Sequence, residues 1–199
     1  MNRNAERGRA TREQLVDAAT ALFAAHGYED TSIEAVLREA GVSRGSLYHH
    51  FPSKDALFWA VLERVNERVS AELLETTGDV TDAVGLLRAA ALGWIRLAGD
   101  PVVQRIILID APSVLGWHRW RQFDEEHALG NIKVAMHAAA TEGALDPAHA
   151  DAFAHILLAA VNEMALLIPR ADDQAAAIRS AEEAVDEFLR RLLGQPARS

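Results

Sequence analysis

The stretch Gly41-Val42-Ser43-Arg44-Gly45-Ser46-Leu47-Tyr48-His49-His50-Phe51 decides how this chain is read. Gly41 sits where a short helix must stop, because glycine accepts the left-handed backbone that ends a helix. Ser43 is then the N-cap of a second short helix. Leu47 and Phe51 are four apart and share its inward face. That leaves Arg44, Gly45, Ser46, Tyr48 and His49 facing outward. Two short helices joined by a tight glycine turn form a helix-turn-helix. Its outward residues suit the major groove of DNA. An arginine donates twice to a guanine edge, and a glycine permits close backbone approach. Tyr48 and His49 suit phosphate.

Working outward, a helix is predicted from Thr11 to His26, with Thr11 and Gln14 at capping-box spacing. Leu15, Ala18, Ala19, Leu22 and Phe23 mark its buried face, and Gly27 stops it. Another helix is predicted from Ser32 to Ala40, with Thr31 and Glu34 as a second capping box. The backbone N–H groups near Thr31 and Ser32 are candidate phosphate donors. Pro52 ends the helix after the turn, and Ser53 caps a long one over 54–75, on which Leu57, Val61, Val65, Val69 and Leu73 recur every four residues. Lys54 lies in its first turn, where a cation opposes the helix dipole, so phosphate is expected to compensate it. Arg3, Arg7, Arg9 and Arg12 crowd the start, as an arm reaching a minor groove or as a disordered tail.

The chain has 199 residues and a net charge of −9. Residues 1–55 hold 7 Lys+Arg and 8 Asp+Glu, a net of −1. A broad basic surface is therefore excluded, and DNA binding must rest on where the charges sit. Cysteine is absent, which rules out disulfides and thiolate metal sites and fits a cytoplasmic protein. No signal peptide is visible. The most apolar run, 152–168, contains His155, Asn162 and Glu163, so a buried interface helix is expected rather than a membrane span. No strand pattern, repeat or low-complexity tract occurs.

These residues carry a resemblance. Thr31-Ser32-Ile33, Ala40 to Phe51 and Lys54-Asp55-Ala56-Leu57 look like the N-terminal domain of the tetracycline-repressor (TetR) family, over about residues 11 to 60. One departure is Glu34, where members often carry a basic or polar DNA-facing residue. The resemblance implies an all-α protein of about nine helices. It divides into a three-helix DNA-binding domain (residues 1–53, with an arginine-rich arm over 1–12) and a helical ligand-sensing and dimerisation domain (residues 54–199). It implies DNA contacts from Thr31, Ser32, Ser43, Arg44, Gly45, Ser46, Tyr48, His49 and Lys54.

It also implies an effector pocket, for which Trp94, Trp117, Trp120, Phe123, Met136, Leu157 and Met164 are candidate apolar walls. Arg105, Asp110, His118 and His137 are its candidate polar groups. The alternative is ordinary helical core. Helices over 148–167 and 173–193 carry the stripes Ala152, Ile156, Ala160 and Ile178, Ala181, Val185, Phe188, Leu192, expected either in a four-helix dimer interface or in one intrachain core. The implied function is a homodimeric repressor of a palindromic operator, released by an apolar or amphipathic small molecule. An activator or a ligand-insensitive regulator of the same fold is the alternative. An enzyme or metal protein is disfavoured. Asp151 and His155 lie four apart near His149 with no third ligand, and His118 has no nucleophile beside it. No cofactor and no membrane partner are expected.

Overall fold

A computed structural model describes residues 3–194, with side chains from residue 6 onward. No strand occurs among the described residues, and the helices divide into two compact units. The first takes in the chain up to residue 68 together with 101–116; the second holds 69–100 and the chain from 117 onward. The first unit thus extends past residue 53, because the first turns of the long helix supply its core.

In the first unit, α1 runs Arg3–Asp30, broken at Gly27, whose φ of 84° and ψ of 168° are non-helical. Helix α2 is Ile33–Ala40, α3 is Arg44–His50 and α4 is Lys54–Thr77. Leu15, Val16, Phe23, Val36, Leu47, Leu57, Phe58 and Leu62 fill the space between them with essentially no exposure. Phe23, Tyr28 and Phe58 pack with ring centroids 5.2–5.7 Å apart, a favourable aromatic arrangement. Arg64 of α4 meets both Glu13 and Asp17 of α1.

Two sequence expectations are corrected here. Helix α1 begins at Arg3, not Thr11, so Thr11 and Gln14 lie inside a helix rather than at its cap. The stretch before Thr11 has no helix breaker other than Gly8, and α1 continues through it. The predicted arm is therefore helical where it is described. Helices are about 10–12 Å across, too wide for a minor groove of about 6 Å. Arg12 stacks over Phe51, 5.4 Å from the ring centroid; the Arg3 side chain lies outside the described residues.

The 101–116 part of this unit starts with α6, Pro101–Val103, and passes into π-helical turns over Gln104–Asp110. The Ala111 N–H donates to Ile106 O, five residues back. Pro112 follows at once and has no N–H to offer. Helix α7, Ala111–Asp124, is broken at Gly116 (φ 72°, ψ 159°). The helix is thus interrupted twice, by π-helical turns leading into Pro112 and by the break at Gly116.

The second unit contains α5 (Ala83–Leu97), α8 (Gly130–Thr141), α9 (Ala150–Leu167) and α10 (Gln174–Leu193). Asp82 caps α5 by accepting from the Gly85 N–H at 2.7 Å. Helix α5 packs against α8, α9 and α10, with Leu87, Ala91 and Ile95 buried. Arg88 pairs with Asp186, and Arg96 with Glu182, between α5 and α10.

Part of the predicted dimer stripe is corrected by this packing. Ala181 and Val185 of α10 are 7% and 3% exposed within one chain, so they cannot also meet a second copy. Ile178, Phe188 and Leu192 are half-buried. On α9, Ala152 and Ile156 are exposed and Ala160 is half-buried.

Candidate nucleic-acid interface

The turn between α2 and α3 is built as its residues require. Gly41 has φ 67° and its N–H donates to Leu37 O, closing α2. Ser43 caps α3, its hydroxyl accepting from the Ser46 N–H at 3.2 Å. Leu47 and Phe51 are buried, at 0% and 4% exposure. On the opposite side Ser43, Arg44, Gly45, Tyr48 and His49 are exposed, and Ser46 is half-buried. The outward set expected from the sequence therefore lies together on α3 and its cap.

Thr31 is placed differently from expectation. It is 2% exposed, and its hydroxyl donates to Gly27 O at 2.7 Å and Leu22 O at 3.2 Å. Its N–H donates to Tyr28 O. Ser32 is the N-cap of α2 instead, accepting from the Ala35 N–H at 3.1 Å. The Thr31–Glu34 capping box is thus corrected, and Thr31 has neither its N–H nor its hydroxyl to offer a phosphate. Ser32 remains exposed.

Glu34, freed from capping, pairs with Arg44 across the turn. Sequence reading gave Glu34 no partner on α3. Lys54 also has an internal partner. Its ammonium sits 4.1 Å from the Tyr28 ring centroid and donates to Glu29 O at 3.4 Å. The phenol of Tyr28 donates to Asp55. Burial, and then that bond, raise its pKa, so it stays a protonated donor. A cation–π contact and a carbonyl thus compensate the Lys54 charge within the chain.

Gly45 carries a different message. Its φ is not positive, and a Cβ built there would meet nothing within 4 Å. Glycine in a helix costs about 0.5–1 kcal/mol relative to alanine. Neither backbone conformation nor packing inside the chain calls for glycine at this position.

The predicted effector residues are scattered. Arg105 and Asp110 belong to the first unit. Arg105 Nε lies 3.0 Å from Asp110 Oδ1, an ion pair in which Nε is poorly aligned for a hydrogen bond. Asp110 also accepts from the Tyr28 N–H at 2.8 Å. Both therefore hold the end of α1.

In the second unit Phe123, Met136 and Leu157 are buried core, while Trp94, Trp120 and Met164 are half-buried. Trp117 is 74% exposed, with Arg121 5.7 Å from its ring centroid. His118 and His137 are also exposed. A cavity of about 320 Å³ lies elsewhere, between α5 and α10, lined by Val84, Arg88, Asp186, Leu189, Arg190 and Leu193. It contains none of the expected residues. Asp151 bonds His137 at 2.9 Å rather than sharing a ligand site with His155.

Comparison with known proteins agrees with this geometry. Residues 15–61 match the model of bacterial regulatory proteins of the tetR family, and residues 84–192 match the tetracyclin repressor-like C-terminal domain. Over 62 residues the chain is 40% identical to an HTH-type transcriptional repressor of Mycobacterium tuberculosis, covering 31% of this chain and 33% of that protein. The chain thus spans about a third of that relative's length. A TetR-family transcriptional regulator from Pectobacterium atrosepticum superposes with a TM-score of 0.77 at 26% identity, covering 98% of this chain and 100% of that one. The SmeT–triclosan complex superposes with a TM-score of 0.73 at 27% identity, covering 95% and 96%. With both halves matched, the chain belongs to the TetR family of transcriptional regulators, which are DNA-binding proteins and not enzymes.

Proposed function

We propose that this regulator is a homodimeric repressor of a palindromic operator, released when a small molecule binds its C-terminal domain. The observation that carries the reading is the outward face of α3, where Arg44, Gly45, Tyr48 and His49 stand exposed on a rigidly capped helix. In this reading Arg44 meets a guanine, and Gly45 lets the helix approach the base edges. Ser46 contacts a base or a phosphate. Ser32, Ser43, Tyr48, His49 and Lys54 seat the backbone phosphates and set register. The N-terminal domain, together with Lys54 at the start of α4, contacts DNA, and the rest of the chain senses and dimerises. The protein acts in the cytoplasm, beside the DNA it reads.

Gly45→Ala separates folding from reading. The variant is expected to be slightly more stable, by up to about 1 kcal/mol, yet to bind operator at least roughly tenfold more weakly. Thermal melts and operator titrations read the two quantities. A variant that loses nothing in binding would contradict the close approach.

One helix reads few base pairs, so a two-fold pair is needed to reach useful specificity. The stretch Pro147–Arg170 has a mean hydropathy of 1.7 in its most apolar window, of which only 33% is buried in one chain. Ile156 and Leu167 are 48% and 45% exposed there. Apolar surface of this extent supports a second copy as its cover. Ile156→Glu is expected to shift the protein to monomer in sedimentation and to lower operator affinity at least about a hundredfold. Retention of the dimer would place the interface elsewhere.

The effector is proposed to be apolar or amphipathic, a reading supported by SmeT, whose structure holds triclosan. A signal reaching 104–110 would act on α1 through Asp110 and Arg105, which grip its end. The effector works only by binding one state better than the other. Footprinting of the purified protein on its own upstream DNA tests the reading as a whole. Two symmetric protected half-sites are expected; no protection would contradict it.

A further inference from the structure

The pair between Glu34 and Arg44 joins the two helices of the reading head. Both side chains are more than half exposed, at 55% and 58%. Exposed ion pairs contribute little to folding, so the fold does not depend on this one. Its position gives it another consequence. Arg44 is the first residue of α3, whose first turn contains no acid. A lone cation there faces the positive end of the helix dipole. Glu34 stands in the first turn of α2, where a carboxylate is favoured, and supplies the missing counter-charge from outside α3.

The contact also determines what Arg44 can do. Glu34 Oε1 meets only Nη2, and a guanidinium has five donors in a fixed fork. The other nitrogens remain for a guanine edge, with the side chain held against the sweep of its four torsions. The carboxylate at the same time offsets part of the Arg44 charge. An arginine paired in this way gains less from any phosphate it passes, while its directional bonds to a base are kept. An uncompensated carboxylate on this face would itself repel the DNA backbone.

We propose that Glu34 is a positioning residue that sets operator specificity: it orients Arg44 toward its base and suppresses binding to DNA of other sequence. This rests on the reading that α3 enters the major groove. The test uses the full-length protein as wild type, Glu34→Ala, Arg44→Ala and the double variant. Each is titrated, over a range of salt, with a duplex that the wild-type protein selects from random sequences and with a scrambled duplex of equal length.

Glu34→Ala is expected to bind the scrambled duplex about three- to tenfold more tightly, with a steeper salt dependence, and to lose a similar factor in discrimination. Its melting temperature should not change. In the Arg44→Ala background, removal of Glu34 should leave discrimination unaltered. Unchanged discrimination in Glu34→Ala, with Arg44→Ala still impaired, would overturn the proposal alone. So would an equal loss in both backgrounds, since Glu34 would then not act through Arg44. If Arg44→Ala itself discriminates like wild type, the groove reading fails, and the proposal with it.

Discussion

Replacing Arg44 with alanine is expected to lower operator affinity by about 2–6 kcal/mol. A bidentate arginine–guanine contact contributes roughly 1–3 kcal/mol of discrimination, and a two-fold dimer loses it in both half-sites. The loss should be specific. With Glu34 already beside the guanidinium, Arg44 contributes little general attraction to phosphate, so binding to unrelated DNA should change by much less. The preference at one symmetric pair of base positions should relax, while preferences elsewhere stay. Titrations against the operator and its single-base variants read both effects. A uniform loss across all duplexes would mean that Arg44 contacts the backbone rather than a base.

Gly27→Ala is expected to give the largest loss of stability. At φ 84° and ψ 168° Gly27 occupies a backbone region that is essentially glycine's own, and holding another residue there costs about 1–3 kcal/mol. A Cβ would also overlap the Arg105 guanidinium that lies against it. Arg105 is flexible and can swing away, but it then leaves Asp110, which is 5% exposed. A carboxylate that buried is destabilised when its charged partner departs. Asp110 would keep only the Tyr28 N–H. The melting temperature should fall by roughly 5–10 °C. Arg105→Ala alone reads the loss of the Asp110 partner, and the further fall when Gly27→Ala is added to it reads the backbone strain. A melt unchanged by Gly27→Ala would show that the break in α1 is not required.

What was legible in the sequence was local. Gly41, Ser43, Leu47 and Phe51 each act through neighbours within a few residues, and the structure places them as their spacing predicts. The buried repeat on α4 has the same origin: Leu57, Val61, Val65 and Val69 lie one turn apart and are all buried. Capping boxes proved less reliable because Thr and Gln also occur inside helices. Thr11 lies within α1, and at Thr31-Ser32 the serine caps while the threonine turns back into the core.

Two features of the site arise from backbone geometry that ordinary periodicity does not carry. Glu34 and Arg44 are ten residues apart, and only the reversal between α2 and α3 brings them together. Arg105 and Asp110 are five apart, on different faces of an ordinary α-helix. The π-helical turns, with bonds to the fifth residue back, bring them side by side. The expected effector residues follow from side-chain chemistry alone, and nothing in their spacing says which helices face one another. Their scatter through core, surface and the other unit follows from that.

The proposed function requires α3 of two identical chains to read a two-fold symmetric DNA site. Selection from random duplexes by the full-length protein, followed by sequencing of the bound DNA, tests it most directly. Two inverted half-sites are expected, with centres about 34–36 Å apart or a multiple of that spacing, and a guanine in each that is no longer enriched when Arg44→Ala is used. Recovery of DNA with no enriched sequence, or of a single half-site without its inverted copy, would contradict it.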